Sequence, residues 1–227
     1  MSFKDKKYTI KKGAISKEMA SFIYDYVSLK RQAARTMFDV KYLSPYTEYF
    51  GVWNDQQVPE TYSHYADIVM ETLLENLRSL MEKETGLVLL PTYSYFRIYK
   101  KGDILKRHKD RAACSVSTTM NLGGDPWPIF INPNQNEGHT EGPHRGIHKI
   151  QDYVPSDSPG IKIELEPGDM LIYSGCDLEH WREPFEGSNN AQVFLHYNNK
   201  SEPNARAEKF DRRVHLGLPA WFKGKIN

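Results

Sequence analysis

The chain has 227 residues, 39% of them hydrophobic and 12% aromatic, which is apolar enough for a packed core and too apolar for general disorder. Thirty Lys and Arg against 29 Asp and Glu leave a net charge of +1, so no global field draws the chain to nucleic acid or to an anionic membrane. No apolar run approaches the roughly 20 residues that span a bilayer, the opening MSFKDKKYTIKKG has no signal-peptide core, and Cys114 and Cys176 alone make no secreted disulfide framework. The expectation is a single domain over 1–227 in a reducing, cytoplasmic setting.

From Ser16, a candidate N-cap, Met19, Phe22, Ile23, Tyr26 and Val27 follow helical spacing. A second amphipathic helix is expected from about Tyr65 to Glu84, with Ala66, Val69, Leu73, Leu77 and Leu80 as its buried stripe and Gly86 as its terminator. Residues 38–64 between them are aromatic and irregular. After Gly86 the period changes to two. In LVLLPTYSYFRIYKKGD, Tyr93, Tyr95, Arg97 and Tyr99 share one face and Ser94, Phe96 and Ile98 the other. CSVSTTMNLGG alternates as well, with Ser115, Ser117, Thr119 and Asn121 on one face, which is either a pocket wall or the wet outer face of a sheet. PWPIFI is a short strand, 132–160 is an aperiodic loop of the length seen in lids, IKIELEPGDMLIYSG is two strands around a Pro-Gly turn, and AQVFLHYN is a further strand. The apolar LGLPAWF suggests that the C-terminal end docks on the body. This order predicts an α+β, mainly β fold: helical support over 1–86, a β core over 87–199 shaped as a curved sheet or double-sheet barrel, and a C-terminal extension over 200–227.

Eight histidines occur in different contexts. His139, His144 and His148 lie in the polar loop and read as solvated, His64 and His215 have no evident partner, and His196 is a mid-strand core or cleft histidine. His108 and Asp110, in KRHKDR, have the i, i+2 spacing that puts two side chains on one face of an extended segment. With His180 from SGCDLEHWRE they would make a two-His, one-carboxylate facial triad, the ligand set of non-haem Fe(II) oxygenases, which leaves metal positions open. The competing reading is a charged surface turn; under either, Arg107, Lys109 and Arg111 are expected to be solvated.

YKKGDILKRHKD resembles the corresponding segment of prolyl 4-hydroxylase-type 2-oxoglutarate/Fe(II) dioxygenases, in which Tyr and x-x-Gly lead to Lys-x-His-x-Asp; Tyr99, Gly102, Lys106, His108 and Asp110 stand in register. EPGDMLIYSG and HWREPFEGSNNAQVFLHY resemble the turn, distal histidine and last core strand of the same family. The likeness covers roughly residues 93 to 197, about half of the chain. It implies a double-stranded β-helix (a cupin-like jelly roll), with Fe(II) on His108, Asp110 and His180 and 2-oxoglutarate held partly by the Tyr99 phenol. It also implies O2 as oxidant, with ascorbate as an accessory reductant. Tyr95 and Arg97 would face the same interior as site wall, or form a packed aromatic face with a cation–π stack.

One position departs from the family. Where a Lys or Arg usually pairs with the distal carboxylate, this chain has Asn190 followed by Ala191-Gln192-Val193. A buried dianion without a cation is costly. Arg182, two residues beyond His180, is therefore expected to be the anchor, with Gln192 assisting; a surface salt bridge to Glu183 or Glu186 is the competing role for Arg182. The implied function is hydroxylation of an unactivated C–H bond with release of succinate and CO2, most directly on peptidyl-proline. Alternatives are hydroxylation of a free amino acid or other small molecule, and a cupin-like metal enzyme or binding protein that does not use 2-oxoglutarate. The loop 132–160 and the aromatics Tyr46, Tyr49, Phe50 and Trp53 are candidate lids.

Overall fold

The computed structural model describes residues 3–44, 47–140 and 153–223. A short turn of helix (α1, Phe3–Lys6) and an edge strand (β1, Tyr8–Lys11) precede a long helix, α2 (Lys17–Asp39). Ser16 caps α2, its Oγ accepting from Met19 N at 3.2 Å, as the spacing predicts. The buried face is Ala20, Ile23, Val27 and Ala34, however, and Met19 and Phe22 point to solvent. The segment 38–64 is not wholly irregular, since it contains β2 (Tyr62–Tyr65).

Helix α3 runs Ile68–Thr85 and starts later than its apolar pattern suggests, because Asp67 caps it by accepting from Val69 N and Met70 N. Ala66 lies outside the helix, and the buried stripe is Met70, Leu73, Leu74, Leu77 and Met81, shifted from the expected one. Gly86 ends the helix at φ 69°, the left-handed conformation glycine adopts without a Cβ penalty.

The remaining strands are β3 (Leu89–Lys100), β4 (Leu105–His108), β5 (Val116–Gly124), β6 (Ile129–Ile131), β7 (His139–Thr140), β8 (Tyr153–Val154), β9 (Ile161–Ile163), β10 (Met170–Tyr173), β11 (His180–Arg182) and β12 (Asn189–Asn199). They form a six-stranded antiparallel sheet, β1-β10-β5-β12-β3-β2, facing a four-stranded sheet, β4-β11-β6-β9, with β7 and β8 as a separate ribbon. This is the expected double-stranded β-helix. Helices α2 and α3 cover the outside of the large sheet through Phe96, Ile98, Met120, Leu122, Val193 and Leu195. Two smaller apolar clusters lie within the barrel: Tyr99, Leu105, Trp127, Phe185 and Phe194, and Ile129, Ile131, Ile163, Leu171, Tyr173 and Leu178. Among the described residues, no helix is long and apolar enough to cross a membrane.

The C-terminal segment docks on the body partly through LGLPAWF, whose Leu216 packs against the main core, and partly by charge. Trp221 and Phe222 are exposed, whereas Arg213 is buried against Glu71 at 2.6 Å and donates to Thr92 O at 3.0 Å. Just before it, Phe210, Asp211 and Arg212 are all left-handed, with φ of 55°, 53° and 63°. Such backbone persists in non-glycine residues only when its surroundings hold it. Here Arg111 donates to both Asp211 oxygens at 2.8 Å, and Tyr65 donates its hydroxyl to Oδ2 at 2.6 Å.

Candidate active site

Strands β4 and β11 pair so that His108 and His180 are direct partners, and their rings lie 4.2 Å apart between centroids. Asp110 follows β4 and is tied by its backbone N–H to Gly175 O at 2.8 Å. Its Oδ1 lies 3.7 Å from His108 Nε2 and 3.5 Å from His180 Nε2. The three ligand atoms lie within 4.8 Å of one another, so one ion can meet all three. Each histidine is oriented the same way: Nδ1 of His108 lies 2.7 Å from Lys106 O, and Nδ1 of His180 lies 3.0 Å from Leu178 O. A carbonyl only accepts, so both Nδ1 atoms carry the proton and each Nε2 keeps the lone pair that a metal would take. Burial and the neighbouring His180 push the His108 imidazole down to about 4. Burial alone would raise the Asp110 carboxyl, but His180 and the other surrounding histidines hold it well below the usual range.

The cavity in front of this triad has a volume of about 320 Å³. The Tyr93–Tyr95–Arg97 face of β3 turns toward it, as alternation requires. It lines the cavity, and Arg97 also lies over the Tyr95 ring at 5.0 Å, the cation–π stack of the second reading. Arg97 is neutralised by Asp55 at 2.5 Å and donates to Gln57 Oε1 at 2.6 Å. Gln57 Nε2 in turn lies 3.1 Å from His108 Nε2 and covers that ligand atom. Asp55 and Gln57 come from the stretch read as irregular, and nothing in its sequence marks them out.

The flanking cations are not free. Arg107 lies 3.6 Å over the Trp181 ring and donates to Ser156 O and Ser158 O at 3.1 and 2.7 Å. Arg111 is paired with Asp211 and lies 4.6 Å over the Tyr93 ring on the cavity wall. Lys109 reaches Gln135 O at 2.9 Å. The expectation of solvated charges fails because an aromatic ring, loop carbonyls or a carboxylate faces each of them. His139 is exposed; His144, His148 and Tyr46 lie outside the described residues, as does the middle of the loop 132–160. His64 is buried, with Nδ1 3.4 Å from Asp67 Oδ2.

Tyr99, Arg182 and Gln192 form a deeper layer, fully buried behind Leu105 and Tyr173. Arg182 makes no ion pair with Glu183, Glu186 or any other described acid. It donates to Trp127 O and, at 3.3 Å, to Thr119 Oγ1, while its Nε has no partner among the described residues. Burial pushes this guanidinium down to about 10. Tyr99 accepts from Arg97 at 3.4 Å, leaving its own proton to donate. Gln192 is already engaged by Thr119 at 3.0 Å and Asn190 at 2.8 Å. The Ser117–Thr119 face of β5 is therefore interior, which settles the choice its alternation left open. An unpaired buried cation beside a free phenol proton is a donor set that suits an incoming carboxylate.

No family model matches this chain, and no curated protein matches it. Solved structures do. A Pseudomonas putida prolyl-4-hydroxylase aligns over 88% of this chain and 96% of its own, at 13% identity and a TM-score of 0.52. AviO1 from Streptomyces viridochromogenes Tue57 aligns over 89% and 94%, at 15% identity and 0.57. HygX from Streptomyces hygroscopicus, solved with nickel and 2-oxoglutarate bound, aligns over 88% and 85%, at 12% identity and 0.53. At these identities the likeness is one of architecture: the chain has the double-stranded β-helix fold of the 2-oxoglutarate-dependent oxygenases.

Proposed function

We propose that the chain is a 2-oxoglutarate- and Fe(II)-dependent oxygenase that hydroxylates an unactivated C–H bond. The observation that carries this reading is the pairing of a His108–Asp110–His180 triad with Arg182, a buried guanidinium that meets no carboxylate among the described residues. His108 Nε2, His180 Nε2 and Asp110 Oδ1 would hold the metal; HygX, of similar fold, was solved with nickel bound. Arg182 and the Tyr99 phenol would hold the distal carboxylate of 2-oxoglutarate. When loaded, such a centre couples decarboxylation of 2-oxoglutarate to insertion of one oxygen atom from O2 into substrate. The protein's part is orientation: backbone carbonyls set the histidine tautomers, and Leu105, Ile129 and Tyr173 give the cavity apolar surface beside the triad. A cupin-like enzyme that does not use 2-oxoglutarate would have no need of Arg182.

The substrate would lie against Tyr65, Tyr93, Tyr95 and Phe194. The cations on that wall are neutralised internally, Arg97 by Asp55 and Arg111 by Asp211, so the wall suits an uncharged ring more than an ion. A prolyl ring in a peptide meets this description and is our lead. A free small molecule is the second reading, favoured by the modest 320 Å³ of the cavity. The test is anaerobic addition of Fe(II) and 2-oxoglutarate, which should give a weak visible charge-transfer band that His108→Ala abolishes. Proline-containing peptides and a small-molecule panel are then screened under O2 for a product heavier by one oxygen. Absence of the band, with no succinate formed, would refute the assignment.

A further inference from the structure

Asp110 has two oxygens in different surroundings. Oδ1 faces the two histidines. Oδ2 points the other way and lies 2.7 Å from Ser117 Oγ, its one hydroxyl donor among the described residues. Ser117 Oγ also lies 2.9 Å from His196 Nδ1 and 3.1 Å from Cys114 O. The register explains the alignment, because β12 pairs His196 with Ser117 on one side and with Tyr93 on the other. The Tyr93 ring stacks on the imidazole at 4.5 Å. Ser117, with no exposed surface, and His196 are both buried.

Ser117 has one proton to give. A buried carboxylate is the strongest acceptor in its reach, and Oδ2 would otherwise be a charged oxygen without a donor. The proton therefore goes to Asp110, and the Ser117 lone pairs must accept from His196. This makes His196 the Nδ1–H tautomer and sets a one-way chain: His196 Nδ1–H to Ser117 Oγ, then Ser117 O–H to Asp110 Oδ2. Gly175 closes the cradle, since a Cβ there would lie 2.3 Å from Asp110 Oδ2 and 2.6 Å from Ser117 Oγ.

We infer that His196 and Ser117 are positioning residues that engage Oδ2 and so confine Asp110 to the metal through Oδ1 alone. The inference rests on the metal-centre reading above. A carboxylate free to rotate loses the aim of Oδ1 at the two histidine nitrogens and would hold a metal more weakly. One oxygen held by Ser117 keeps that aim.

The test uses the full chain and Co(II) as an anaerobic probe, read by visible absorbance, with the melting temperature of the unloaded protein measured in parallel. Ser117→Ala and His196→Phe should each weaken Co(II) binding about 10- to 100-fold, the usual effect of losing a hydrogen bond to a metal ligand. His196→Asn places an amide N–H where Nδ1–H stood and should recover affinity to within about threefold of wild type. A purely packing role predicts the opposite order, with Phe better tolerated than Asn. The inference is overturned if S117A and H196F bind Co(II) as wild type does, or if H196N is as weak as H196F. It is also overturned if wild type takes two Co(II) and H196N loses the second, because His196 would then be a ligand. Should S117A fail to fold, the H196F and H196N pair decides. If wild type itself binds no Co(II), the metal-centre reading fails and takes this inference with it; if wild type binds and the variants bind equally, only the inference fails.

Discussion

Replacing Arg182 with Met separates its two possible purposes, structural and ligand-binding. Among the described residues the guanidinium is fully buried, has one unpartnered N–H and meets no acid, and burial lowers it from 12.5 to about 10. At about 1.4 kcal/mol per factor of ten, the charged form is disfavoured by about 3 kcal/mol relative to water. A carboxylate arriving at that position would restore about this much, which corresponds to roughly a hundredfold in affinity. Arg182→Met should therefore weaken 2-oxoglutarate binding about a hundredfold, measured by anaerobic calorimetry with Mn(II) at the metal site. The unloaded variant should resist denaturant as well as wild type or better, because an uncompensated buried charge has been replaced by an apolar side chain of similar length. Gln192→Ala should cost far less, since the Gln192 amide is already spent on Thr119 and Asn190. A 2-oxoglutarate affinity in Arg182→Met within threefold of wild type would refute the reasoning. So would an unloaded variant weakened by several kcal/mol, which would mean that the guanidinium serves the fold.

Other expectations can be checked in turn. Gln57→Ala removes the amide that covers His108 Nε2; a hydrogen bond of about 0.5–1.5 kcal/mol no longer competes, so Co(II) affinity should rise about 2- to 10-fold, and unchanged or weaker binding would contradict this. Asp211→Ala leaves Arg111 unpaired and releases the left-handed 210–212 turn, and should lower stability by about 1–3 kcal/mol, read from the urea midpoint. His64 is held below its ordinary 6.5, chiefly by burial. Its neutral form is the native one, so its contribution to stability is present above about pH 6.5 and is lost as pH falls below that value. His64→Phe should flatten the acid decline of the unloaded protein by up to about 1.4 kcal/mol per pH unit; parallel curves for variant and wild type would sink the argument.

Local pattern was enough for the ends of the elements and for the short-range part of the site. Ser16 and Gly86 bound their helices because capping chemistry involves only a few neighbouring residues. The period of two from Tyr93 to Tyr99 put Arg97 and Tyr99 on the interior face because alternation is a property of any strand. His108 and Asp110 come together because their spacing leaves little else, and the family resemblance pointed to His180. The rest is long-range. Helical spacing alone could not say which flank of α2 or α3 meets the sheet, and the sheet selected Ala20 over Met19 and Met70 over Val69. Arg111 looked solvated until the chain's far end brought Asp211 to it, and a polar face of β5 became interior only once β12 lay beside it. Ser117 and His196 could be placed on strands, but nothing local marks them or Gly175 as neighbours of Asp110. Their relation to Asp110 depends on strand register, which is set by the burial of whole faces. The sequence by itself therefore determined the class of fold and marked the candidate ligands, through spacings of a few residues and a family resemblance. Only the tertiary structure decided what stands behind each ligand, because those partners are far apart in the chain and meet only when the two sheets close.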